Sequence, residues 1–223
     1  VLLNGDLWVP FDIAVSANDE NVVWAARTSQ YGSTNLNGRM VFKSTDGGST
    51  WGNYTSNSLN GEVITNIEHQ KGTAGGVYIG TRRAVYYRNN SMTEWDLFNN
   101  NLPLSSTSTK LVIKYKDGLL RNATNRSVYE VELYENSVPM AQIAANKFKV
   151  SCLDHQVQFI DHSVLSSENP TWSWSFPGGT PASSNEQNPL VEYENAGFYD
   201  VTLTVTDDFG TSTQSYPMFI EYQ

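Results

Sequence analysis

Two modules, both all-β, are predicted by three observations on this chain. Its 223 residues are rich in Asn, Ser, Thr, Gly and Tyr and only 17% are charged, a mixture of strand formers and turn formers rather than helix formers. Up to Asn136 the apolar runs repeat: Val41 recurs as Val85 and Trp51 as Trp95, a step of 44 residues. Beyond that point the repeat ends, and Val201, Leu203 and Val205 alternate with Thr202, Thr204 and Thr206, the period of a strand with one buried face. The expected boundaries are 1–136 and 137–223, with Ser137-Val138-Pro139 as a short linker.

Each repeat supplies the same parts in the same order. First strands are expected at 11–15, 64–68 and 111–115, second strands at 22–26, 76–80 and 118–122, and third strands at 41–43, 85–88 and 128–131. Units of about 40–50 residues holding four short strands are the signature of propeller blades, and rings generally need about four to eight of them. Three blades therefore predict a partial β-propeller, part of a larger ring. Its open blade edge needs cover, because unpaired strand edges invite aggregation. The expected partners are upstream blades of the same polypeptide or a partner chain; the chain opens in mid-pattern at Val1-Leu2-Leu3-Asn4-Gly5, which favours the first.

After the third strand of the first unit comes Ser44-Thr45-Asp46-Gly47-Gly48-Ser49-Thr50-Trp51. Ser and Asp side chains bond nearby backbone groups, glycines accept positive φ and the indole packs beneath, so this is a hairpin turn. Ser44, Asp46, Gly48, Thr50 and Trp51 stand as S-x-D-x-G-x-T-W, which resembles the Asp box of sialidase-type (BNR) propeller blades; the resemblance extends over Phe11 to Tyr134. In the second unit Asn90 replaces Asp46 and Glu94-Trp95 ends the motif, and the third unit lacks it. Such loss is tolerable if the box only staples a hairpin.

The second module carries Trp172-Ser173-Trp174-Ser175-Phe176-Pro177-Gly178-Gly179, then Asn188-Pro189 with Tyr193, then Gly197, Tyr199 and the run to Asp207. These segments closely resemble a PKD domain, which implies an immunoglobulin-like β-sandwich. The acidic residue usual in that glycine turn is replaced here. Propeller blades followed by this module look like a segment of a large secreted surface protein exported by the bacterial type IX pathway.

Charge and cysteine content narrow the function classes. Of the net charge of −9, the first 136 residues carry 12 Lys+Arg against 13 Asp+Glu, and the remainder 2 against 10. An acidic module almost free of cations cannot follow a phosphate backbone, so nucleic acid is excluded as a partner. Cys152 is the single cysteine, which rules out an intrachain disulfide. No apolar run approaches the roughly 20 residues that span a bilayer as a helix, so membrane insertion is not expected.

Chemistry-bearing residues are plentiful but unfocused. A sialidase-like site needs converging arginines and a tyrosine–glutamate pair, and a xyloglucanase-like one needs two carboxylates across a cleft. Asp12, in a first strand, is the candidate catalytic carboxylate for the latter. Arg82-Arg83 reads as a solvated hairpin tip. Trp8, Trp24 and Tyr31 are candidates for a sugar-stacking surface, with core packing the alternative for Trp24. Asp161, Asp200, Asp207 and Asp208 are candidate calcium ligands at one end of the sandwich, the one cofactor considered. His69, His155 and His162 lack metal-ligand spacing and are expected at the surface or on edge strands.

The expected function is a non-catalytic segment of an exported, secreted or cell-surface protein, acting in adhesion or display, with the sandwich as spacer or as a protein or glycan contact. Two alternatives remain open. One is part of a glycoside hydrolase with catalytic residues partly upstream; the other is a secretion cargo held by an export or assembly machine.

Overall fold

A computed structural model describes residues 2–3, 6–7, 12–27, 40–103 and 105–223. The chain divides into two compact units, Val1–Lys114 with Gly118–Asn136, and Ser137–Gln223 with Tyr115–Asp117.

The first unit begins with a short pair, β1 (Leu2–Leu3) and β2 (Asp6–Leu7), and continues as three antiparallel meanders. The first blade is β3 (Asp12–Val15), β4 (Val23–Ala26), β5 (Val41–Ser44) and β6 (Gly52–Asn53), hydrogen-bonded in that order. In the second blade the order is β7 (Ile64–Gln70), β8 (Gly76–Thr81), β9 (Val85–Arg88) and β10 (Asp96–Leu97). The third has three strands among the described residues: β11 (Ser108–Lys114), β12 (Leu119–Thr124) and β13 (Val128–Glu132). All nine strands anticipated from the repeat are present, and the unit is a partial propeller.

Burial is deepest on the middle blade's second strand. Every residue of β8 is buried, as expected for a strand covered on both faces. On one side Val77 and Ile79 join Trp24, Val41, Leu59, Ile64, Tyr86 and Trp95 in the core shared with the first blade. On the other, Tyr78 meets Tyr87 and Phe98 at ring separations of 4.7 and 5.4 Å.

The second unit is a two-sheet sandwich. One sheet runs β14 (Ile143–Ala145), β16 (Gln156–Asp161), β19 (Leu190–Glu192). The other runs β15 (Lys149–Val150), β21 (Gly210–Tyr222), β20 (Gly197–Asp207), β17 (Thr171–Ser175), β18 (Ser183–Ser184). Val201, Leu203 and Val205 are fully buried, as the alternation requires. Outside, Thr202, Thr204 and Thr206 share hydroxyl hydrogen bonds of 2.8–2.9 Å with Ser215, Thr213 and Thr211. Trp174 and Phe176 stack at 5.6 Å against Phe159, Val157, Val191 and Tyr193. Gly178 lies at φ +83°, where a Cβ would stand 2.5 Å from the Tyr199 ring, so this turn accepts only glycine without rearrangement.

Candidate functional site

The Asp46 turn is self-contained. Ser44 Oγ donates to Asp46 Oδ1 at 2.7 Å and accepts the Gly48 N–H at 2.8 Å. Thr50 gives its N–H to Asp46 Oδ1 at 2.8 Å and its hydroxyl to Oδ2 at 2.6 Å, and Trp51 Nε1 donates to the Gly48 carbonyl at 2.9 Å. Hydrogen bonds from Thr50 and then Ser44 hold the Asp46 carboxyl down at about 2. Its oxygens are committed to closing the β5–β6 hairpin, which is what the sequence pattern alone suggested.

In the second blade the aligned residues have changed tasks. Asn90 Oδ1 accepts Lys43 Nζ from β5 at 2.7 Å, and Trp95 Nε1 reaches the Tyr54 carbonyl at 2.9 Å. Lys43 also lies over the rings of Trp24 and Tyr54, at 5.3 and 5.5 Å, and Arg88 over Tyr54 at 4.0 Å. Burial, with the nearby Arg88 charge, pushes the Lys43 ammonium below the usual lysine range. These contacts join two blades.

The innermost strands hold the best candidate for chemistry. Asp12 on β3 accepts the N–H of Ile67 on β7 at 3.0 Å through Oδ2, and its own neighbour Ile13 at 3.0 Å through Oδ1. Glu68 follows Ile67 and is pushed up chiefly by burial; Lys110 on β11 opposes that shift and the Asp12 charge adds to it. Thus two carboxylates and one amine sit on three successive inner strands. Asp12 spends both oxygens on backbone N–H groups, leaving Glu68 as the freer acid. Sequence reading missed Glu68, which stands among Thr65, Asn66, His69 and Gln70 in a strand with only two apolar residues, so nothing local singled it out.

Two tyrosine–glutamate pairs also escaped sequence analysis. Glu62, 6% exposed, takes Arg83 Nη2 at 2.8 Å, Arg83 Nε at 3.1 Å and the Tyr86 hydroxyl at 3.2 Å, all on Oε1, while Oε2 has no partner. Arg83 is therefore exposed at the turn, as the sequence suggested, and at the same time a clamp on a buried carboxylate. Glu135 accepts the Tyr87 hydroxyl at 2.5 Å and Asn89 Nδ2 at 3.2 Å. Burial, then the adjacent glutamate, pushes both phenols above the ordinary tyrosine value. That direction is opposite to what a nucleophilic tyrosine requires.

The four calcium candidates are not brought together. Asp200 and Asp207 lie seven residues apart on one strand, about 23 Å at the usual rise per residue. Asp161 accepts Trp172 Nε1 at 2.7 Å and the Ser163 N–H at 2.9 Å. Asp207 accepts Ser166 N–H at 3.0 Å and Phe209 N–H at 2.9 Å. Asp208 is exposed in the two-residue loop between β20 and β21. No group of three or more His, Cys, Asp or Glu suited to a metal occurs among the described residues. Asn188 serves the same scaffolding, its Oδ1 accepting the Asp161 N–H at 2.8 Å, and the Pro189 carbonyl accepts the Phe159 N–H at 2.9 Å.

Trp24 is wholly buried and stacks on His69 at 5.0 Å, so it belongs to the core and not to a sugar platform. His69 lies on the edge strand β7, one of the two placements expected for it, and is 6% exposed; its Nδ1 lies 2.8 Å from the Gly76 carbonyl. Its strand is at the sheet edge, but neighbouring blades cover it. Trp8 and Tyr31 lie outside the described residues.

Residues 136–220 match the PKD domain family, which assigns the sandwich; residues 1–135 lie outside that match. No curated protein matches the chain. Among solved structures, it is similar to the extracellular domain of the putative one component system BT4673 from B. thetaiotaomicron, at 10% identity and TM-score 0.41 over 96% of this chain. The extracellular domain of the putative hybrid two component system BT4673 gives 9%, 0.41 and 96%. The chain spans 31% of the length of each of these. YCF48 from Cyanidioschyzon merolae gives 11% identity and TM-score 0.42, over 92% of this chain and 71% of that one. All three are distant likenesses.

Proposed function

We propose that this chain is a non-catalytic segment of an exported modular protein, secreted or held at the cell surface, that works by adhesion or display. In this reading the propeller is a rigid platform of Asp-box (BNR) type, completed by upstream blades of the same polypeptide. The PKD sandwich is a spacer or a contact for protein or glycan, and export follows the type IX route. One observation carries the reading: the motif acids Asp46, Asp161 and Asp207, and Asp12 with them, all spend carboxylate oxygens on nearby N–H or O–H groups. Acids consumed in this way build turns and strand contacts rather than reaction centres.

A glycoside hydrolase completed by upstream acids is the second reading, favoured by the raised Glu68 carboxyl beside Asp12. The deciding experiment is intact mass and peptide mapping of the protein from its source, joined to hydrolysis assays on sialosides and xyloglucan. Further repeats upstream with no hydrolysis support the display reading. Turnover that disappears in Glu68→Gln overturns it.

A further inference from the structure

We propose that the turn between β12 and β13 is a carboxylate-binding site, in which Arg126 and Tyr129 take from a ligand the charge that Glu62 supplies inside the second blade. The second and third blades share one backbone here. The Arg82 N–H bonds the Val63 carbonyl and the Asn125 N–H bonds the Thr107 carbonyl, both at 3.1 Å. Thr81 and Thr124 close their turns alike. Each hydroxyl accepts the N–H groups two and three residues on, from Arg83 and Ala84 in one blade and from Arg126 and Ser127 in the other, at 3.0–3.1 Å. The first strands are bulged at the same place, between Ile64 and Asn66 and between Ser108 and Lys110. Even the left-handed residue before them is kept, as Gly61 at φ +77° and as Ser105 at φ +58°, although the second is not a glycine.

These matches align Glu62 with Ser106, Arg83 with Arg126 and Tyr86 with Tyr129. In the second blade one carboxylate oxygen gathers Arg83 Nη2 at 2.8 Å, Arg83 Nε at 3.1 Å and the Tyr86 hydroxyl at 3.2 Å. In the third blade the cation and the phenol are kept and the acid is not. Ser106 is 2% exposed, and its hydroxyl has no hydrogen-bond partner among the described residues. Arg126 is exposed and Tyr129 half-buried, and among the described residues Arg126 forms no ion pair. A guanidinium and a phenol on the backbone that holds a carboxylate one blade away are a donor set for another carboxylate. The planar fork of arginine suits that two-oxygen group.

Ser106 is shorter than Glu62 and uncharged, so the counter-ion comes from outside, past the exposed guanidinium. The chemistry fits a carboxylate carried by a free organic acid or by an acidic sugar, to which the half-buried Tyr129 ring offers an apolar wall. One guanidinium and one phenol at an exposed turn hold a single carboxylate weakly, and the binding grows where several are carried on one molecule.

Amide and arginine side-chain shifts of the full chain, titrated with acetate and with glucuronate from about 0.1 to 100 mM at an ionic strength fixed with chloride, test this. Saturable shifts are expected at Arg126, Ser127 and Tyr129. Arg126→Ala should weaken binding roughly tenfold or more, and Tyr129→Phe severalfold. Ser106→Glu should abolish it by supplying the carboxylate from within, and Glu62→Ser should add a second set of saturable shifts at Arg83 and Ala84. Where either of those two variants fails to fold, Arg126→Ala, at an exposed turn position, still decides the matter. Tighter binding of glucuronate than of acetate supports the site and assigns it to an acidic sugar; equal or weaker binding of glucuronate supports it and assigns a free acid. Shifts no larger than those chloride gives, shifts confined to other residues, binding undiminished in folded Arg126→Ala, or inorganic phosphate displacing acetate at roughly a tenth of its concentration would each overturn the proposal.

Discussion

Removing Arg83 probes the buried charge that organises the turn between the second blade's strands. In Arg83→Ala, Glu62 loses the guanidinium bonds at 2.8 and 3.1 Å and keeps the Tyr86 hydroxyl at 3.2 Å. The Gly61 carbonyl loses its bond from Arg83 Nη2 at 3.1 Å as well. Breaking a fully buried pair costs about 3–5 kcal/mol through the stranded charge. Arg83 is 58% exposed, so water can reach the carboxylate once the guanidinium is gone, and the expected loss falls to about 2 kcal/mol. Combining it with Glu62→Met removes the stranded charge and should restore about 1–2 kcal/mol of that loss, a coupling that additive sites do not show. Urea unfolding followed by tryptophan fluorescence, with the sandwich transition as internal reference, measures all three variants. An Arg83→Ala protein within about 0.5 kcal/mol of the parent, or a double variant worse than the single, would refute the assignment.

Gly178→Ala should destabilise the sandwich by at least 1–2 kcal/mol, roughly the strain of an L-residue at that φ before the Tyr199 clash is added, and leave the propeller transition unmoved in calorimetry. His69 is lowered by burial, so below about pH 6.5 the unfolded chain takes up a proton that the folded one resists. The melting temperature of the first unit should therefore fall as pH drops below about 6.5, and His69→Gln should flatten that part of the profile. A slope unchanged by the substitution would count against it. Asp46 sits at about 2, below its unfolded value, so its contribution is present above the ordinary carboxylate range and is lost as pH falls through about 2. The Thr50 amide shift should titrate with that midpoint, and Asp46→Ala should speed exchange at the Gly48 and Thr50 amides.

Strand positions were legible because they rest on periodicity, and periodicity survives in one sequence. The 44-residue step located the blades, and the alternation at 201–206 located the buried face of β20. Turn chemistry was equally legible, since the bonds around Asp46 span at most four residues. What escaped was pairing across long separations. Glu135 meets Tyr87 48 residues away and Asp12 meets Ile67 55 residues away, and neither spacing carries a local signature. The edge strand expected for His69 is where it lies, but its burial under Trp24, 45 residues away, is another contact that no local spacing announces. The proposed calcium ligands failed on geometry, because four acids in one acidic module suggest convergence until the strand length separates two of them.

The second blade shows what the motif positions are for. There the residue aligned with Asp46 is Asn90, which binds Lys43 of the preceding blade, and the residue aligned with Thr50 is Glu94, whose Oε2 lies 3.3 Å from the Ser58 N–H. The aligned indole turns from a carbonyl within its own turn, Gly48, to one on the neighbouring segment, Tyr54. Each position has exchanged a bond inside its hairpin for one to the blade before it. A ligand site could not be traded in this way, because a ligand must be met by the same groups in every copy that binds it. A structural staple can be, since blade stability responds to the number and burial of bonds and not to which hairpin owns them. Replacing Asn90 by Leu should accordingly loosen the first blade against the second, costing about 1 kcal/mol for the lost Lys43 bond, and leave the hairpin at 88–96 closed through Asn89 and Ser91. Faster amide exchange confined to the β9–β10 turn, with the first blade unaffected, would show instead that Asn90 still serves its own hairpin.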